Sequence, residues 1–158
     1  MTRLLRGTSI IEIVIATALI SVAIIATLSL ANHSQKQNSY AKYVAEATTY
    51  TRQAVDWLRS ERDSLGWELI AQKALSDAVG GIATYCLNSL PTAGDDFGDL
   101  IASSCTVGSF ISNTFYTREL IINTASKDAG ILKVTVSVTW QDKIERQSTV
   151  ETELTSWQ

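Results

Sequence analysis

The chain has few of the residues that interrupt helices or perform chemistry. Its 158 residues include one proline, one histidine, one methionine and two cysteines. Pro91, the single proline, leaves the whole N-terminal third without a helix breaker. His33, the single histidine, follows a long apolar run, where a solvated place at a membrane interface explains it better than a catalytic base does. Cys86 and Cys105 are too far apart for the CxxC spacing of redox and zinc sites. No nucleophile motif, metal-ligand spacing or Gly-rich phosphate loop is present. These absences argue against an enzyme and imply no cofactor and no metal. Thirteen Lys and Arg against sixteen Asp and Glu give a net charge of −3, with no basic excess for nucleic acid. Arg118, Lys127, Lys133, Lys143 and Arg146 are interspersed with acids, so no adhesive or DNA-binding surface is expected from them.

Charge is also missing from residues 13–31. The run from Ile10 to Ala31 carries one ionisable group, Glu12, near its start. About 20 apolar residues are enough to span a bilayer as a helix. A carboxylate inside such a run costs several kcal/mol unless something pairs with it. Its partner must be another chain, a lipid head group or the chain's own amine. Arg3 and Arg6 precede the run and hold that end in the cytoplasm, so the remainder should face outward.

The Arg-bearing leader 1–7 ends in Gly7, Thr8 follows, and Glu12 lies four residues further on. This combination resembles the class III signal of type IV pilins and pseudopilins. The resemblance implies cleavage between Gly7 and Thr8 by a prepilin peptidase, N-methylation of Thr8, and a Glu12 that meets the N-terminal amine of a neighbouring subunit. It also implies the partners: other pilin subunits, the prepilin peptidase, the inner-membrane pilus assembly machinery, and the membrane before assembly, while the charge balance points to no nucleic acid. The location it implies is a single-pass cell-membrane protein with its head outward, then an extracellular pilus or a periplasmic pseudopilus. Thr8 stands where a large apolar residue is usual, and no proline interrupts residues 13–31. The second departure points to a minor pilin and not a major subunit. A type II secretion or competence pseudopilin is the first alternative, and a non-fibre membrane-anchored or secreted binding domain the second. Ser29-Leu30-Ala31 also has the small-x-small form of a secretory cleavage site, although such apolar regions run about 7–15 residues.

Beyond Ala31 no Gly or Pro stops the helix, and the pattern becomes amphipathic. Tyr40, Tyr43, Val44, Ala47, Tyr50, Ala54, Trp57 and Leu58 recur at three- and four-residue steps, which predicts a core face. The helix should run to about Arg62 and end at Asp63-Ser64-Leu65-Gly66. A shorter helix over 67–79, with Trp67, Ile70, Ala71, Ala74, Leu75 and Ala78 inward, should stop at Gly80-Gly81.

Residues 82–110 read as irregular and contain both cysteines. In an exported protein, two cysteines suggest one disulfide between Cys86 and Cys105, the alternative being two free thiols. Asp95, Asp96 and Asp99 beside Gly94 and Gly98 are turn-forming residues that could also offer oxygens to calcium, but their order is not that of an EF-hand.

Alternation over Leu132, Val134, Val136, Val138 and Trp140 predicts a strand with one buried face, flanked by β-rich segments 115–123 and 145–155 around a Gln141-Asp142-Lys143 turn. The expected fold is α+β: a long N-terminal helical spine packed on a C-terminal antiparallel sheet of three to four strands. Its parts are the leader 1–7, a transmembrane and assembly half-helix 8–31, an amphipathic half 32–62, and a globular head 63–158 with a short helix, a disulfide loop and a β-meander.

Overall fold

A computed structural model describes residues 9–91, 96–142 and 144–156. The candidate processing residues Gly7 and Thr8, and also Gly94, Asp95 and Lys143, lie outside the described residues. The chain divides into two compact units, Met1–Tyr43 and Val44–Gln158.

The first unit, as described, is the N-terminal part of helix α1 (Ile10–Leu65). From Ser9 through Lys42 every residue is exposed, the large aliphatic ones included. With no Gly or Pro between Ile10 and Leu65, nothing in the sequence breaks the i to i−4 ladder.

In the second unit the rest of α1 and helix α2 (Trp67–Asp77) accompany strands β1 (Ile82–Cys86), β2 (Thr117–Asn123), β3 (Ile131–Asp142) and β4 (Ile144–Thr155). The strands form one antiparallel sheet in the order β1-β2-β3-β4. Strict alternation sets the inner face: Leu120 and Ile122 on β2, and Leu132, Val134, Val136, Val138 and Trp140 on β3, are all buried. This is the α+β fold of a long helix packed on an antiparallel sheet. A fully buried Leu or Ile contributes about 1.5–3 kcal/mol, so Leu58, Ile70, Leu120, Ile122 and Leu132 are the principal ties between the layers.

The structure modifies several details. Helix α1 runs to Leu65, where Gly66 at φ 85° supplies the left-handed residue that ends it while its N–H bonds to the Arg62 carbonyl. The buried face comprises Ala47, Thr51, Ala54, Val55 and Leu58. Thr51 and Val55 join it, while Tyr50 and Trp57 are half-buried at its edges, Tyr50 against Tyr116 and Trp57 against the core beside Phe97. Thr51 can be buried because its hydroxyl donates to the Ala47 carbonyl. Tyr40 is 43% exposed and Leu75 is 50% exposed, so neither is a core residue.

The segment expected to be irregular contains β1, which pairs with β2 from Ile82↔Asn123 to Cys86↔Glu119. Five residues were too few for their alternation to stand out among glycines and small residues. The β3–β4 connection is also tighter than the expected three-residue turn, with Asp142 opposite Ile144.

Candidate functional site

Three of the hydroxyls in the apolar half of α1 are satisfied within the helix itself. Thr17 Oγ1 donates to the Val14 carbonyl at 3.0 Å, Ser21 Oγ to Thr17 at 2.8 Å and Thr27 Oγ1 to Ile24 at 2.8 Å. These back-bonds satisfy hydroxyls that would otherwise be costly in hydrocarbon. Among the described residues, no hydrogen bond or ion pair reaches the carboxylate of Glu12. It lies exposed in the first helical turn among Ile10, Ile11, Ile13 and Val14, themselves 54–82% exposed. The helix contains a stretch long and apolar enough to cross a membrane.

Sequence reasoning missed a local feature of Glu12. Glu12 N–H bonds to the Ser9 carbonyl at 2.9 Å, which marks Ser9 as the residue that opens the helix. Ser9-Ile10-Ile11-Glu12 has the spacing of a capping box, but among the described residues no bond reaches the Glu12 carboxylate, so what it contributes locally is a negative charge that complements the helix dipole in the first turn. Glu12 therefore has a local reason to be where it is, which any functional account must be separated from.

In the head, Cys86 and Cys105 form the disulfide, with Cα atoms 4.8 Å apart. The loop it closes is also fixed by polar contacts. Ser103 N–H donates to the Thr84 carbonyl at 2.8 Å and covers part of the outer edge of β1, and Cys105 N–H donates to Glu119 Oε1 at 3.0 Å. Phe97 is buried, edge-on to Tyr85, and its N–H donates to Glu61 Oε2 at 2.9 Å, so helix α1 also holds the loop. Asp96 and Asp99 cap the short 3-10 turn Phe97–Asp99, Asp96 accepting from Gly98 N–H at 2.6 Å and Asp99 from Asp96 N–H at 3.3 Å. Both carboxylates thus serve the turn. Among the described residues, no group of three or more His, Cys, Asp and Glu is placed to hold a metal ion.

Arg118 is not a surface charge. It is 2% exposed and lies on the inner face of β2 beside Leu120. Its Nε donates to the Leu87 carbonyl at 2.9 Å and its Nη1 to the Tyr50 carbonyl of α1 at 3.2 Å. Burial in this mostly apolar layer brings its pKa down to about 10. The period of two in Thr117–Asn123 was the available signal, since it puts residues 118, 120 and 122 on one face. Counting Arg118 with the surface cations overlooked that alternation.

His33 is exposed on α1, with its Nε2 2.9 Å from the amide nitrogen of Gln37 one turn on. Comparison with known proteins adds no relative: no family model, curated protein or solved structure matches the chain.

Proposed function

We propose that this chain is a structural subunit of a type IV pilus-like filament, a minor pilin and not a major one, which assembles through its apolar N-terminal helix. The observation that carries the reading is Glu12, a carboxylate in the first turn of an exposed apolar helix in which Thr17, Ser21 and Thr27 bond to the helix's own carbonyls. In lipid or in a bundle of like helices that charge needs a cation. The amine of Thr8, freed by prepilin peptidase cleavage after Gly7 and then N-methylated, would supply one from a neighbouring subunit. The chain would first sit in the cell membrane with its head outward, and then in an extracellular pilus. A periplasmic pseudopilus would use the same contacts. The minor assignment rests on the missing proline, which leaves α1 without a sequence-encoded break.

Glu12→Leu and Glu12→Gln together test this against a purely local place for Glu12 in the first helical turn. Glutamine can serve at the last position of a capping box but carries no charge. If the carboxylate pairs with an amine, both variants should reach the membrane at wild-type level and both should be lost from sheared filaments. Normal incorporation of Glu12→Gln would show that assembly does not need the charge of Glu12, and the proposal would lose its main support.

A further inference from the structure

The two edges of the sheet are finished differently. The β1 edge is partly covered by the disulfide loop, through the bond from Ser103 N–H to the Thr84 carbonyl. The β4 edge runs for 12 residues, and Ile144–Thr155 contains no Gly, Pro or Lys. Its register with β3 is unbroken from Ile131↔Thr155 to Asp142↔Ile144, so no bulge turns it away. Proteins usually guard an exposed edge with such features, because its free N–H and C=O groups accept another strand.

Which groups are free follows from the ladder. Ser156 N–H bonds to the Gly130 carbonyl at 2.9 Å, next to the pair Ile131↔Thr155. Antiparallel pairs alternate between bonded and non-bonded, so Leu154, Thr152, Val150 and Ser148 bond to β3. The N–H and C=O of Gln147, Thr149, Glu151 and Glu153 then point away from the sheet, and among the described residues no backbone group meets them. The side chains of these four are exposed on the outer face. With Glu145, that face of β4 bears three acids and no base; across the ladder, Lys133 lies opposite Glu153 and Thr135 opposite Glu151. On the inner side, a groove of about 340 Å³ separates β4 from α1, lined by Val55, Val150 and Thr152 and by Arg52, Asp56 and Arg59.

We propose that the β4 edge from Gln147 to Glu153 is a docking site for an extended segment of a different protein, which joins the sheet as a fifth strand and carries Lys or Arg on its outer side and small aliphatic residues on its α1 side. In such an addition the main-chain bonds give affinity and the alternate side chains give specificity. Opposite charges across neighbouring strands attract and like charges repel, so the acids of β4 call for a basic strand. They also disfavour a second copy, which would bring to that face only its own Glu145, Glu151 and Glu153. The groove over Val55 and Val150 takes the aliphatic side chains. The docking does not rest on the filament reading, since every group it uses lies in the second unit.

The probe that tests it is a synthetic seven-residue peptide in which Val alternates with Thr and Lys, the lysines spaced to meet Glu151 and Glu153. It is added to the full chain in a neutral detergent, with amide hydrogen exchange followed residue by residue by NMR and affinity taken from the titration. The expected result is alternate protection. At a peptide concentration about nine times Kd the amides of Gln147, Thr149, Glu151 and Glu153 should slow about tenfold, while those of Ser148, Val150 and Thr152, already bonded to β3, change little. A peptide with Glu in place of Lys should bind about tenfold more weakly, and one N-methylated at the amides that face β4 should give no protection. Glu151→Lys should weaken the basic peptide about fivefold and leave the exchange of the β2 and β3 amides unchanged. Uniform protection or none at about 1 mM peptide, equal affinity for the basic and acidic peptides, or full binding of the N-methylated one overturns the docking. Protection of the same amides that rises with chain concentration in the absence of peptide shows copies pairing with each other, and overturns it too. Each of these outcomes leaves the filament reading, which rests on Glu12, where it stood.

Discussion

The guanidinium of Arg118 donates to the Tyr50 carbonyl at 3.2 Å, so strand β2 is tied to helix α1 by a buried cation. Its partners are main-chain oxygens, those of Tyr50 and Leu87, and Tyr116, two residues before Arg118, packs against Tyr50 with ring centroids 5.3 Å apart. Arg118→Ala removes the donor of the Leu87 carbonyl and the tie to α1, and opens a cavity, and should cost the head about 3 kcal/mol. Arg118→Met fills most of the volume without bringing a charge into the layer, and should cost less than half of that. Urea unfolding of a head fragment beginning at Asn32 measures both. Equal losses would show that the hydrogen bonds decide and the filling does not.

A second tie joins α2 to β1. Tyr85 Oη donates to Asp77 Oδ2 at 2.9 Å, and Lys73 Nζ approaches the same oxygen at 2.9 Å. Burial pushes the Asp77 pKa up, but the bonds from Lys73 and Tyr85 together outweigh it and leave it below the ordinary value. Burial, then the bond and the charge of Asp77, raise the Tyr85 pKa. The signs differ. Asp77 stabilises the head above about pH 4 and loses this as pH falls through its depressed folded value. Tyr85 stabilises it below about pH 10 and loses this as pH rises toward its elevated folded value. Tyr85→Phe should cost about 1 kcal/mol at neutral pH. Relative to wild type, the deficit should shrink above about pH 10, where the phenol no longer keeps its advantage. A deficit that stays constant from neutral to alkaline pH would mean that packing alone is responsible.

The disulfide closes a loop whose cysteines are 19 residues apart in sequence. By the chain-entropy estimate it contributes about 3 kcal/mol, or about 10 °C in Tm for a head of this size. The strand pairing and the Glu61 and Glu119 contacts do not depend on it. Reduction should therefore lower the Tm and leave a folded sheet, with the two states told apart by circular dichroism. An unchanged Tm would show that these polar contacts already fix the loop and that the bridge adds nothing.

The parts legible in the sequence were those with long, unmixed periodicity. Nine alternating residues from Leu132 to Trp140 defined β3, and the three- and four-residue steps from Ala47 to Leu58 located the core side of α1 to within one position. Strand β1 was not legible, because Ile82–Cys86 is short and its place in the sheet is set by pairing with β2, almost 40 residues away. The burial of Arg118 was legible and overlooked, since alternation alone puts it inward. The place of Glu12 in the first helical turn was legible in Ser9, three residues earlier, a residue type that commonly opens helices. The polar ties of Glu61, Tyr85 and Asp77 depend on tertiary placement that no local pattern encodes.

Processing gives the last prediction, and it concerns residues outside the described part of the chain. The resemblance puts the scissile bond between Gly7 and Thr8, and a peptidase that accepts glycine before that bond must fit a backbone with almost no side chain. Gly7→Ala should then be cleaved poorly and Gly7→Leu not at all, with Arg3 and Arg6 still holding the uncleaved leader in the cytoplasm. An uncleaved chain buries its amine behind seven extra residues, so it should accumulate in the membrane and be absent from filaments, as Glu12→Leu is expected to be. Intact-mass measurement and N-terminal sequencing of the membrane and filament fractions separate the three histories open to this chain: a new terminus at Thr8, one at Asn32 from cleavage after Ala31, or none. A terminus at Asn32 would detach the head from the apolar helix and make it a secreted domain. Loss of residues 1–7 from Gly7→Leu protein would show that cleavage does not depend on the glycine, and the pilin-like signal would no longer account for it.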